Sequence, residues 1–133
     1  DLTIIADIGC EDGTIEQRSI LSALDRCRAT VITRAGVLSS VGDVAIWLSG
    51  DEVRISHIGS IFMRQPMNGF FGDTADYESK LADHLASLRE FSEFIVARGL
   101  FTQEELDTMY KNRSMCALFG PALHDRISKL QPV

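Results

Sequence analysis

Three cysteines and three histidines carry the readiest chemistry in this 133-residue sequence: Cys10, Cys27, Cys116, His57, His84 and His124. Cys10 lies in Gly9-Cys10-Glu11-Asp12-Gly13, between an apolar run and the start of a helical pattern. A helix N-terminus favours the thiolate and so lowers a thiol pKa. Asp7, Glu11 and Asp12 oppose that effect, because each carboxylate repels the same thiolate. The acids instead complement the positive end of the helix, and Cys10 is expected to behave as an ordinary thiol. They do not form a calcium loop, since Asp-x-Asp is absent and the EF-hand spacing fails. They do not form a phosphate loop either, because neither Gly-Lys-Ser/Thr nor G-x-G-x-x-G occurs.

The histidines have no H-x-H or H-x-x-x-H spacing, and the cysteines have no C-x-x-C spacing, so no metal centre and no cofactor is expected. The candidates for catalysis are His57 and Cys10. A Cys10–His57 or Cys116–His124 dyad would need a contact that sequence spacing does not supply. No G-x-S-x-G elbow is present, and Ser39-Ser40 reads as a loop. These residues do not add up to a catalytic constellation.

A different functional hint lies in Met63, Met67, Phe70 and Phe71, the last three in a turn-rich stretch from Pro66 to Asp73. Adjacent aromatics there either cover the core as a lid or form an exposed apolar patch, which marks a partner or ligand surface. Trp47 and Arg54, both residue types favoured at interfaces, are expected on the outer face of a hairpin, where they could also stack as a cation–π pair. Trp47, Arg54, Met67, Phe70 and Phe71 are therefore the expected binding or interface residues.

The elements that must position these side chains follow from periodicity and punctuation. Leu2 to Ile8 reads as a buried strand. Thr14-Ile15-Glu16-Gln17 has capping-box form, and Ile20, Leu21, Leu24 and Cys27 continue it as one helical stripe. Thr30 to Thr33 reads as a strand ended by Ala35-Gly36. Val44–Ser49 and Glu52–His57 flank Gly50-Asp51, which predicts a hairpin over 44–57 with His57 opposite Val44. A short buried helix over 41–48 is the competing reading. Ile61 to Met63 adds a further strand.

Asp73 or Thr74 caps a long helix reaching Arg98, with Tyr77, Leu81, Leu85, Leu88 and Ile95 as its stripe, Phe91 and Phe94 widening it, and Gly99 at C′. Thr102-Gln103-Glu104-Glu105 is a second capping box, with Phe101 and Leu106 at the staple positions, and its helix runs to about Asn112. Gly120-Pro121 opens a last helix carrying Leu123, Ile127 and Leu130. The expected fold is α+β: a small, mainly antiparallel sheet containing the 44–57 hairpin, packed against several helices, with a helical C-terminal half.

Composition sets the frame. A chain of this length that is 45% hydrophobic is expected to form a single globular domain over 1–133. It has no run near the roughly 18 apolar residues of a membrane span. A net charge of −6 speaks against nucleic-acid and anionic-membrane partners. Three cysteines without a pairing pattern fit a reducing, cytoplasmic setting. The sequence thus predicts a small non-catalytic binding or regulatory domain, a homodimer or the partner of another protein, with a small-molecule ligand as a further option. The alternative is a small enzyme or ligand-binding protein with a pocket between sheet and helices, using His57 and Cys10.

Overall fold

The computed structural model describes residues 2–8, 14–65 and 72–132, with the backbone alone at 14–16. Nine elements follow one another: β1 (Thr3–Ile8), α1 (Thr14–Asp25), β2 (Thr30–Ser40), α2 (Val41–Leu48), β3 (Glu52–Arg64), α3 (Thr74–Arg98), α4 (Gln103–Asn112), β4 (Cys116–Phe119) and α5 (Gly120–Ser128). The four strands form one sheet in the order β1-β2-β3-β4. β1 and β3 both run parallel to β2, and only β4 is antiparallel, to β3. The fold is α+β with a helical C-terminal half, but its sheet is mixed and mostly parallel rather than mainly antiparallel.

The expected 44–57 hairpin is replaced by a helix followed by a parallel strand. Ser40 ends β2 and caps α2, its hydroxyl accepting from Asp43 N at 3.1 Å. A capped start with an acid in the first turn favours helix over strand. All eight residues of α2 are buried, because α2 lies on the sheet while α1 and α3 pack against it. A helix buried all round shows no amphipathic period, so its apolar run resembles a strand. Gly50-Asp51 does reverse the chain, but it docks against β2. Asp51 N donates to Val31 O at 2.8 Å, and Asp51 Oδ2 accepts from Val31 N at 2.8 Å.

Two more boundaries shift for physical reasons. β2 does not stop at Gly36; the pairing with β3 changes register between Ala35 and Val37, so the glycine marks an irregularity inside a longer strand. Strand β4 pairs Cys116 with Met63 and Phe119 with Ser60, a short edge that the sequence reading did not include.

The core gathers Leu38, Ile61, Met63 and Leu118 from the sheet, Val44, Trp47 and Leu48 from α2, and Phe91, Ile95, Leu106, Met109 and Leu123 from the later helices. Trp47 is fully buried, and its indole N–H donates to Arg54 O at 2.8 Å. α1 and α2 approach closely at Gly42, where an added Cβ would fall 2.0 Å from Gln17 Oε1. The Gln17 amide nitrogen donates to Ser40 Oγ at 3.1 Å and to Asp43 Oδ1 at 3.0 Å, so this buried polar group is satisfied.

The C-terminal half follows its local signals closely. Asp73 caps α3 by accepting from Asp76 N, and Gly99 adopts the left-handed conformation (φ 85°) that ends it. The Thr102–Glu105 capping box of α4 forms in both directions. Arg98, also buried, donates to Leu48 O at 3.0 Å and to Gln131 O, while Gln131 N donates back to Arg98 O at 2.8 Å.

Candidate functional site

Two features of the described residues lie outside this core. The first is a cleft on the helical side. Apolar residues recur along α3 at helical spacing, but of the stripe only Phe91 and Ile95, towards the C-terminal end, are fully buried in the core. Towards the start of the helix, Tyr77, Leu81, Leu85 and Leu88 line a cleft of about 450 Å³. Tyr77 and Leu85 are exposed, 47% and 53% respectively. His84, Arg89 and Ser92 complete the α3 wall, Gln103 and Tyr110 come from α4, and Gln65 follows β3.

Tyr110 reaches this wall because the capping box fixes the start of α4, and its hydroxyl shares a hydrogen bond with Ser92 Oγ at 3.1 Å. Burial pushes the Tyr110 phenol above its ordinary pKa and the His84 imidazole below its own. Both groups are thus held neutral at neutral pH.

The second feature is the sheet face opposite α2. Val31, Thr33, Leu38, Ile61, Met63 and Leu118 point into the core, so the residues alternating with them point away. On that outer face Val37 is 61%, Phe62 40% and Phe119 61% exposed. Val37 pairs with Ser60 and Ser60 with Phe119, which brings the three apolar residues together across β2, β3 and β4. The rings of Phe62 and Phe119 stack with centroids 6.3 Å apart. Ile58, in the irregular stretch of β3 two residues before Ser60, is 81% exposed.

Next to this patch, Arg34 clasps Asp7 with two bonds of 2.7 and 3.0 Å, and Arg54 pairs with Glu52 at 2.8 Å. The Arg34 hydrogen bonds hold the exposed Asp7 carboxyl below its usual range. The topology accounts for the bare face. Strands added in sequential order through right-handed crossovers place both crossover helices on one side of the sheet.

The expected site residues are not gathered at either feature. Cys10, Met67, Phe70 and Phe71 lie outside the described residues. Trp47, expected on an outer face, is instead a core residue, and Met63 is buried as well. Arg54 is exposed, and its contact with Trp47 is the backbone carbonyl rather than a stacked guanidinium. His57 is exposed on β3 and does not line the helical cleft; His124 Nε2 lies 3.5 Å from its carbonyl oxygen.

Cys116 bonds to Glu105 O at 3.6 Å, and burial followed by the nearby Glu105 charge pushes its thiol pKa up, the reverse of activation. Ser40 stands between strand and helix rather than in a loop. Among the described residues its hydroxyl meets only the Gln17 amide and Asp43 N, so no base activates it. No group of three or more His, Cys, Asp or Glu side chains suited to a metal ion exists among the described residues.

The sequence reading missed Arg89, Ser92, Gln103 and Tyr110 at the cleft and Val37, Phe62 and Phe119 on the face. The available signal for the cleft was an α3 stripe longer than one small core can absorb. For the face it was apolar residues on both sides of the Ile61-Phe62-Met63 run.

The molecule is thus defined as a mixed sheet with helices on one side, an uncovered apolar patch on the other and a cleft between two of the helices. In comparison with known proteins, the sequence matches no family model and no curated protein.

Proposed function

We propose that the chain is a non-catalytic binding domain that associates with a second copy of itself through the outer sheet face. The observation carrying this reading is the stacked Phe62–Phe119 pair beside Val37 and Ile58, exposed on a mostly parallel sheet. Parallel sheets are almost always covered on both faces, and contiguous exposed apolar surface marks an interaction site.

The charges around the patch favour a like partner. Arg34 and Arg54 are each neutralised within the chain, by Asp7 and Glu52. Arg64, two residues after Phe62 and exposed, adds among the described residues only a single unpaired cation, too little for a nucleic acid or an anionic membrane. A surface with paired charges of both signs around an apolar centre can meet itself across a two-fold axis. Arg54 contributes to its rim, and Met67, Phe70 and Phe71 stay candidates for it on the sequence argument alone. Cys27 and Cys116 are free thiols, which fits a cytoplasmic setting.

The experiment is light scattering after size exclusion on the wild-type chain and on Phe119→Asp, with circular dichroism alongside. We expect a wild-type dimer, and a mutant that is monomeric with an unchanged spectrum, since Phe119 is exposed within the chain. A wild type that stays monomeric at the highest attainable concentration overturns the proposal. A mutant that remains dimeric does the same for this face.

A further inference from the structure

We propose that the cleft between α3 and α4 binds a small carboxylate with an apolar body, the carboxylate meeting Arg89 and the body lying on Tyr77, Leu81 and Leu85. This inference is independent of the sheet-face interface and involves none of its residues.

Size and wall chemistry come first. A cleft of about 450 Å³ lies within the range of small-molecule sites, which are mostly apolar with a few placed polar groups. Tyr77 and Leu85 leave about half their surface in water, and a ligand's apolar body would cover what the core does not.

Charge then selects the ligand. The chain carries nineteen Asp and Glu, yet among the described residues none lines the cleft. Asp107 comes near through Gln103, whose amide nitrogen donates to it at 2.8 Å, but it is not part of the wall. Arg18, Arg34, Arg54 and Arg126 each pair with a carboxylate. Arg89 makes no ion pair among the described residues and stands exposed at the cleft wall. A guanidinium is a rigid planar fork of donors that matches a carboxylate with two parallel bonds.

Burial lowers the His84 pKa and favours its neutral form, so among the described residues Arg89 is the single full charge of the wall. One cation suits a monoanion better than a nucleotide's phosphates, which call for several. Tyr110, held protonated and bonded to Ser92, offers a hydroxyl in the same wall.

The test uses phenylbutyrate as the probe and its neutral amide, phenylbutyramide, as the control. Titration calorimetry and amide NMR shifts are recorded on the wild-type chain and on Arg89→Met. We expect saturable binding, with shifts confined to α3 around Tyr77–Ser92 and to α4. Losing a charged hydrogen-bond partner should weaken binding about tenfold or more. The amide should bind wild type about as weakly as the acid binds Arg89→Met.

Arg89 is exposed and unpaired, so the variant should fold, and circular dichroism checks this. If it does not fold, the acid–amide comparison and the shift map on wild type still decide the matter. No saturable binding up to the solubility limit overturns the proposal. So do shifts located elsewhere, equal affinity of acid and amide, or an Arg89→Met affinity equal to wild type.

Discussion

The two faces of the sheet have opposite fates although they are built from the same strands. On the inner face Leu38, Ile61 and Met63 are fully buried against α2 and the later helices. On the outer face Val37 and Phe62, their immediate neighbours in sequence, stand in water. Residue type does not distinguish the faces, since both carry large apolar side chains. What distinguishes them is connectivity: sequential parallel strands send both crossover helices to one side. An apolar residue on the inner face therefore stabilises the chain itself, while one on the outer face is available for association.

The largest test of that division is a pair of truncations. Trp47→Ala removes a fully buried side chain from the covered side and should cost about 3–5 kcal/mol. Phe119→Ala, measured where the chain is monomeric, should stay within about 0.5 kcal/mol. Urea unfolding of both variants checks this, and similar losses at the two positions would end the distinction.

A smaller effect is expected where the covered side is held by a local cap. Thr102 Oγ1 accepts from Glu105 N at 3.1 Å, and Glu105 Oε1 accepts from Thr102 N at 3.0 Å. Thr102→Ala should cost about 1 kcal/mol in the same assay. Unchanged stability would mean that α4 is held by packing alone.

The smallest effect is acid sensitivity, which should come from the covered side. Burial lowers the His84 pKa, so the folded chain takes up fewer protons there than the unfolded one. Its contribution is complete above the ordinary imidazole value of about 6.5 and is lost as pH falls below it. Glu105 is lowered too. Burial works against the charged form, but the bonds from Arg126 and Thr102 outweigh it, so its contribution is lost at lower pH, below about 4.3. His84→Gln should flatten the upper part of a melting-temperature profile against pH. Asp7→Asn, on the fully exposed outer face, should leave the profile near wild type.

How much of this was legible in the sequence depends on how local each signal is. The limits of α3 were readable because Asp73 and Gly99 act within a few residues, and the same holds for the Thr102–Glu105 box. The 44–57 region was not. Its eight helical residues are buried on every side, and Gly50-Asp51 turns a chain back equally well after a helix or a strand. Whether β3 pairs with the segment just before it, over 44–49, or with β2 is decided by contacts some twenty residues away, such as Val31 with Asp51. For the candidate site, apolar excess on α3 was visible, but its division between core and cleft was not. Arg89 becomes informative only when the described wall of the cleft is seen to hold no carboxylate beside it.

The buried arginine at the end of α3 has a consequence for how the molecule opens. Arg98 and Gln131 exchange hydrogen bonds in both directions, which ties the thirty-odd residues between them into a closed loop. α4, β4 and α5 all lie within that noose. The guanidinium also donates to Leu48 O, so the knot is fastened to the last turn of the innermost helix. Fraying from Gln131 would take an acceptor away from the Arg98 guanidinium while it is still buried, in a setting that already disfavours its charge. We expect the loop to open and close as one cooperative unit, with Arg98 as its clasp.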